Sequence, residues 1–323
     1  MNDNIIKYND RKIAEHDERF KVFCQEYDPK VKHTQKEWLD ILKKKGVDIS
    51  RMTLFRYTQK FLKSVSHKGK DVSHERVNVS LEEILKSTRE NPSIQDILLQ
   101  ERTTGTRFDI NPNKVVPRYM KSAAIKKKRT RTKAEVFTPI EIVRQMNDSL
   151  DNGFTGSDID YIKRTSLEVT CGEAPFLTTR YDSCTGRTIP VEERVGLLDR
   201  KLQHIHTDNE MEWCIQAEFA LKSTCGYEWQ EDSLYIARMN VLLSVVESFV
   251  DRFGKSPKDI EKWAEIVSYN LFRMDGVSLC LPETKIPAMT MNWDMGKMER
   301  FGEGNDSTPT ALHNTRRKGD KRT

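Results

Sequence analysis

From residue 134 to about residue 275, strand-like and helical apolar patterns alternate along the chain, and this alternation limits the possible folds more than any other feature. A chain that switches repeatedly between a period of 2 and a period of 3.6 builds a sheet covered by helices, so an α/β layer is expected there. The longest helical signal spans residues 232–249, where Leu234, Ala237, Val241, Leu242, Val245 and Phe249 recur at helical spacing and mark a core helix. Upstream, LEVTCGEAPFL at residues 167–177 reads as a strand, a tight turn and a helix start. Such a corner is either a cradle for a cofactor or an ordinary turn of an α/β domain.

At 323 residues the chain has room for two domains, taking roughly 100–200 residues for each. Residues 1–65 are expected to form a helical module and residues 66–133 a polar connector with some helices. Residues 134–300 carry the α/β domain, and residues 301–323, almost without apolar periodicity, are expected to be disordered. No apolar run approaches the roughly 18 residues needed to span a bilayer. The polar start MNDNIIKYNDRK lacks the apolar core of a secretory signal, so a cytoplasmic protein is expected. The six cysteines show no C-x-x-C spacing, which suggests neither a zinc site nor a disulfide framework. Reduced, mostly buried thiols and no metal are expected.

Two stretches point to nucleic acid. The net charge of +5 is concentrated at residues 126–133, KKKRTRTK, where Lys126, Lys127, Lys128, Arg129, Arg131 and Lys133 would attract phosphates through counterion release. A solvated linker explains the same run. Nearer the amino terminus, HTQKEWLDILKKKGVDISRMTLFRYTQKFL reads as two short helices. Thr34 and Glu37 form a capping box, Trp38, Leu39 and Leu42 an apolar stripe, and Gly46 a stop. The second helix, capped by Ser50, leaves Arg51, Thr53, Arg56 and Lys60 toward solvent. The pair resembles a helix-turn-helix, which would lay those four residues in the major groove of double-stranded DNA. A plain helical hairpin fits the same pattern.

In AEVFTPIEIVRQM, Thr138, Pro139 and Glu141 place a cap, a proline at the first helical position and a capping-box acid in order. Ile140, Val143, Met146 and Leu150 then give the helix one buried face, and Asn152-Gly153 ends it. The EVFTP segment resembles the motif that precedes the cofactor loop in amino-methylating DNA methyltransferases. In that family Phe137, Thr138 and Pro139 would pack against the methionine end of S-adenosylmethionine. The family's loop reads acid, Pro, small, Cys, Gly, any, Gly, any, Phe, Leu; in the same register Glu168, Cys171, Gly172, Phe176 and Leu177 match. Val169 stands in place of the proline and Ala174 in place of the second glycine. The turn would let the ligand approach, the following helix start would supply amides, and Glu168 would hold the ammonium group.

The resemblance further implies that Glu228, in STCGYEWQEDSLYIARMNVLL, faces the ribose with Trp229 beside the adenine, and that Asp275 accepts from the adenine amino group. Asp275-Gly276 is also a common turn dipeptide. Glu228 lies farther downstream than the roughly 20 residues of a dinucleotide fold. An inserted loop and the crossover helix MEWCIQAEFALK account for the excess. The expected architecture is therefore a Rossmann-like class I methyltransferase domain preceded by a helix-turn-helix-like module.

The family orients its target amine with Asp or Asn, Pro, Pro and an aromatic, and this chain contains no Pro-Pro. Asn292, Trp293 and Asp294 are the only weak catalytic substitutes. The implied function is a DNA adenine-N6 methyltransferase-like protein of a restriction-modification or phage system, with its catalytic loop divergent or supplied by a second subunit. A cognate nuclease would be a further partner. The alternative is a catalytically inactive DNA-binding regulator on a methyltransferase-like scaffold.

Overall fold

The computed structural model describes residues 80–302 except 134 and 137 and, toward the amino terminus, residues 19, 21–23, 25, 26, 35–47 and 49. The chain divides into two compact units, Met1–Val77 and Asn78–Thr323. In the first, helix α1 (Gln35–Lys44) buries Trp38 and Leu42 with Phe23 and Val47, and Gly46 ends it in the left-handed region at φ 80°. Thr34 and the second helix of the helix-turn-helix reading, with Ser50, Arg51, Thr53, Arg56 and Lys60, lie outside the described residues. So does the tail from residue 303.

The second unit begins well before the expected boundary at residue 134. Helices α2 (Leu81–Glu90) and α3 (Pro92–Leu98) contribute Ile84, Ile94 and Leu98 to the same core as the central helices. Ser80 and Glu83 close a capping box on α2, and Asn91 caps α3 with Pro92 at its first position. Strands β1 (Gln100–Glu101) and β2 (Thr106–Arg107) form a short antiparallel ribbon. Arg238 locks this segment in place. Wholly buried, it donates to the carbonyls of Leu98 (2.7 Å), Gln100 (2.8 Å), Ser268 (2.9 Å) and Leu271 (2.7 Å), with the Phe108 ring over its guanidinium. The described part of the region read from sequence as a connector, from residue 80 onward, is thus built into the domain. The basic run is the end of helix α4 (Ala123–Lys133), none of whose residues is buried, so the run is helical where a linker is the alternative, though largely solvated.

After helices α5 (Ile140–Asp151) and α6 (Asp158–Lys163), three parallel strands form a sheet. Strand β4 (Thr224–Glu228) lies between β3 (Ser166–Glu168) and β5 (Leu271–Arg273), with Glu168 opposite Gly226 and Glu228 opposite Arg273. Helices α7 (Leu197–Gln203) and α8 (Glu210–Lys222) connect β3 to β4; α9 (Glu231–Phe253) and α10 (Ile260–Asn270) connect β4 to β5. A hairpin of β6 (Met289–Asn292) and β7 (Lys297–Arg300) closes the described chain.

Helix α9 is buried on nearly all sides from Ser233 to Glu247, including the polar Arg238, Asn240, Ser244 and Glu247, which find partners inside the protein. Contrary to the expectation that no apolar run approaches a membrane-spanning length, this helix alone among the described helices is long and apolar enough to cross a membrane, but 89% of that window is buried inside the protein. At the far end Trp213 and Phe249 pack edge to face at 5.5 Å, with Trp263 6.1 Å from Phe249.

Two local expectations are revised. Helix α5 is capped by Pro139 without a side-chain bond, and starts one residue later than Thr138 as cap would require. Its buried face is Ile140, Val143 and Asn147, because the Asn147 amide donates to the carbonyls of Phe176 (3.1 Å) and Val195 (2.9 Å), leaving Met146 exposed. Nor are the described thiols mostly buried: Cys171 is, Cys184 is exposed and Cys214, Cys225 and Cys280 are partly covered, while Cys24 lies outside the described residues.

Candidate cofactor-binding site

The carboxyl ends of β3 and β4 bring the glycine-containing loop and its acid into contact. Beyond Glu168 the backbone turns sharply, with Thr170 (φ 50°), Gly172 (φ 57°) and Ala174 (φ 61°) all left-handed. Non-glycine residues pay about 1–2 kcal/mol for this conformation, so Thr170 and Ala174 store strain that the surroundings must hold. Ala174 stands where the family's loop has its second glycine, and it adopts the backbone that glycine prefers. A β-carbon added at Gly172 would meet nothing within 4 Å, so the space beside this turn is open. The Gly172 amide donates to Glu228 Oε2 at 2.9 Å, and the Gln230 amide donates to Glu228 Oε1 at 2.9 Å. Glu228 is half-buried at the end of the central strand, and Trp229 is exposed beside it.

The other members of the constellation are placed differently. No helix follows the turn: apart from the single turn Val191–Glu193, residues 173–196 are irregular until α7. The amides of Phe176 (3.4 Å) and Leu177 (3.1 Å), expected to open toward a ligand, donate instead to Glu168. Glu168 is buried, with its two oxygens taken up by those amides. Burial pushes its carboxyl well above the usual range, against the pull of those two amides. Burial likewise pushes the Cys171 thiol well up, with Glu168 and Glu228 adding to it, so Cys171 is a packed and unreactive side chain.

A buried polar network replaces the missing helix. Asp199 accepts from Thr178 Oγ1 (3.1 Å), the Thr179 amide (2.7 Å) and Ser244 Oγ (2.6 Å), while Glu247 lies between Arg180 and Arg194. Asn240 donates to the Glu173 carbonyl (3.0 Å) and to Tyr181 Oη (2.9 Å), fixing the loop on α9. Thr138 lies alongside, its carbonyl accepting from Ser183 at 3.3 Å, and Phe176 packs against Ile140 and Val143 of α5. Phe137 is outside the described residues.

Asp275 lies beyond β5, but its carboxylate accepts from the Val277 amide (2.9 Å) and Ser278 Oγ (2.8 Å). These bonds hold it below the ordinary carboxylate range and commit it to its own turn, as the dipeptide alternative anticipates. Asn292, Trp293 and Asp294 are not brought to this edge. Trp293 Nε1 donates to Asn270 Oδ1 (2.8 Å), and Asn270 donates to the carbonyls of Leu221 (2.7 Å) and Thr224 (3.2 Å), at the amino-terminal ends of β5 and β4. At about 3.3 Å per residue this is about 13 Å from Glu228 along β4. Asn292 donates to Glu299 across the hairpin.

Helix α4 is fastened at the entrance to α9, next in sequence to Trp229. Arg129 pairs with Asp232 (2.8 Å) and Glu135, Lys121 reaches Asp232 (3.5 Å) and Lys133 reaches Gln230. Lys126 donates to the Tyr119 carbonyl (3.0 Å). Arg129 is therefore an internal anchor and not a free phosphate contact, whereas Lys127, Lys128 and Arg131 are exposed. Sequence reasoning missed Gln230 and Asp232 as the groups that position the basic run. The acids at the start of α9, in EWQED, were the available signal. A cavity of about 590 Å³ lined by Met211, Cys214, Ile215 and Lys262 includes none of these residues.

No family model, curated protein or solved structure matches the chain.

Proposed function

We propose that the chain is a DNA adenine-N6 methyltransferase-like protein, built on a Rossmann-like domain, that binds S-adenosylmethionine at the carboxyl edge of its parallel sheet and double-stranded DNA along α4. The observation that carries the reading is the contact between the Gly172 amide and Glu228 on neighbouring parallel strands, with open space beside Gly172. Ligands of open α/β sheets bind beyond the carboxyl ends of the strands, which is where this contact lies.

The donor set fits the cofactor. Glu228 keeps acceptor capacity for ribose hydroxyls after taking two backbone amides, Trp229 offers an exposed ring, and Gly172 lets a ligand approach the backbone. Glu168 and Asp275 hold the loops in this reading and do not touch the ligand. When bound, S-adenosylmethionine supplies an activated methyl group. DNA laid along Lys127, Lys128 and Arg131 would pass the same edge, because α4 is tied to Gln230 and Asp232 directly after Trp229.

The chain's own residues provide binding and positioning. The amine-orienting loop is assigned to a partner or to a divergent segment, since Asn292, Trp293 and Asp294 lie toward the opposite end of the strands. That placement favours one second reading, a catalytically inactive DNA-binding protein on the same scaffold. Transfer of labelled methyl groups to mixed-sequence DNA, alone and with the product of the neighbouring reading frame, separates the two. Labelled N6-methyladenine in either reaction supports the enzyme. Cofactor binding without label in either leaves the inactive form.

A further inference from the structure

We propose that Asp158, His204 and His206 form a binding site for Zn²⁺ or a chemically similar divalent transition metal, joining the start of α6 to the connection between α7 and α8. This departs from the expectation of no metal, which rested on cysteine spacing alone. The three side chains offer ligand atoms that all lie within 4.8 Å of one another. Asp158 Oδ1 lies 2.7 Å from His204 Nδ1, and Asp158 Oδ2 lies 3.7 Å from His206 Nε2. A tetrahedral zinc ion with bonds of about 2.0–2.2 Å holds its ligand atoms about 3.3 Å apart. The distances from the two imidazoles to their nearer carboxylate oxygens bracket that value, and with one ligand atom from each residue no separation exceeds 4.8 Å, so at most about 1.5 Å of closure is needed, within the reach of a side-chain rotation.

The site is supported from behind. The His204 ring stacks on Tyr161 with centroids 4.2 Å apart, and Tyr161 Oη donates to Asp151 Oδ2 at 2.7 Å. Asp151 in turn accepts from Arg164 (3.2 Å) and Arg200 (2.7 Å), so the surface against which His204 rests is fixed. Asp158 is the first residue of α6, after Ser157 as its cap, which fixes the origin of its side chain. His204 is the carboxyl cap of α7, and the one-residue spacing to His206 sends a second imidazole back to the same carboxylate. All three side chains are partly exposed, leaving a path for an ion and room for water as a fourth ligand.

Two imidazoles and one carboxylate select the ion by chemistry. Magnesium and calcium prefer all-oxygen shells, whereas imidazole suits zinc, cobalt, nickel and copper. The ligands come from positions 46 residues apart, so the ion would close a long loop around β3, whose carboxyl end carries Glu168. The inference is independent of the cofactor reading.

The test is titration of the full chain with Co²⁺, followed by its visible absorption, with Zn²⁺ as competitor. One Co²⁺ per chain, with the intense bands of a four- or five-coordinate nitrogen and oxygen site, is expected, and Zn²⁺ should displace it. His206→Ala and Asp158→Asn should each weaken binding at least tenfold. Zn²⁺ should also raise the melting temperature of the wild type and not that of His206→Ala. Because His206 is partly exposed, circular dichroism should show that variant folded. Absence of binding, thiolate-to-cobalt charge transfer, or equal affinity in folded variants and wild type would each overturn the proposal.

Discussion

Replacing Gly172 by alanine separates a cofactor cradle from an ordinary corner. The new methyl group meets no protein atom within 4 Å, so it creates no clash in the protein itself. At φ 57° the alanine costs about 1–2 kcal/mol of backbone strain, and about 0.4–1 kcal/mol of that is returned by the stiffer unfolded chain. The net loss is about 1 kcal/mol, which lowers the melting temperature of a domain this size by about 2–4 °C. A ligand lying over the turn meets the methyl group directly, at a cost of about 1–3 kcal/mol for overpacking, or roughly 5- to 150-fold in affinity. Equilibrium dialysis with labelled S-adenosylmethionine reads the second effect and a thermal melt the first. A small loss of stability with a large loss of affinity is expected. Unchanged affinity would remove the ligand from Gly172, and a collapse in stability would mean that the space beside it is not open.

Other consequences follow from the same geometry. Arg238→Met strips donors from four buried carbonyls and should cost about 3–5 kcal/mol in chemical denaturation; a change under about 1 kcal/mol would mean that residues 80–110 are not integral to the domain. Burial lowers the Lys201 ammonium from 10.5 to about 7, so the unfolded chain binds the extra proton between those values. Stability should therefore rise with pH from about 7 to about 10.5, by up to about 1.4 kcal/mol per pH unit, while below about 7 the buried charge destabilises fully and this group adds no pH dependence. Lys201→Met should flatten that rise, and an identical pH profile in the variant would place the ammonium in contact with water. Changing Lys127, Lys128 and Arg131 to glutamine should reduce the salt slope of duplex binding by about 3, at about 0.9 per phosphate contact; an unchanged slope would clear α4 of phosphate contact.

The parts legible in the sequence are those set by local pattern. Helix α9 announces itself through apolar residues at helical spacing, and Gly254 at φ 67° ends it one turn beyond Phe249. Strand β4 ends at Glu228, where an apolar run meets an acid. What could not be read depends on distant partners. A helix after LEVTCGEAPFL is a fair reading of a turn containing Pro175, yet Glu168 takes the amides that would start it and Asp199 organises the chain that follows. Residues 80–133 look like a connector because their apolar residues are sparse, and their place in the domain is fixed by Arg238, more than a hundred residues away. The basic run likewise appears unpaired in sequence, because its acids, Asp232 above all, lie on another element. Asn292, Trp293 and Asp294 cluster in sequence, but which end of the sheet they occupy is decided by Asn270.

The central claim is that Glu228 and the Gly172 turn hold S-adenosylmethionine, and calorimetric titration of the full chain with the cofactor tests it most directly. Wild type should give a saturable heat at one ligand per chain. Glu228→Ala removes a charged acceptor worth about 1.5–3 kcal/mol and should weaken binding roughly 10- to 150-fold. No heat with wild type, or equal affinity in a folded Glu228→Ala variant, would contradict the account.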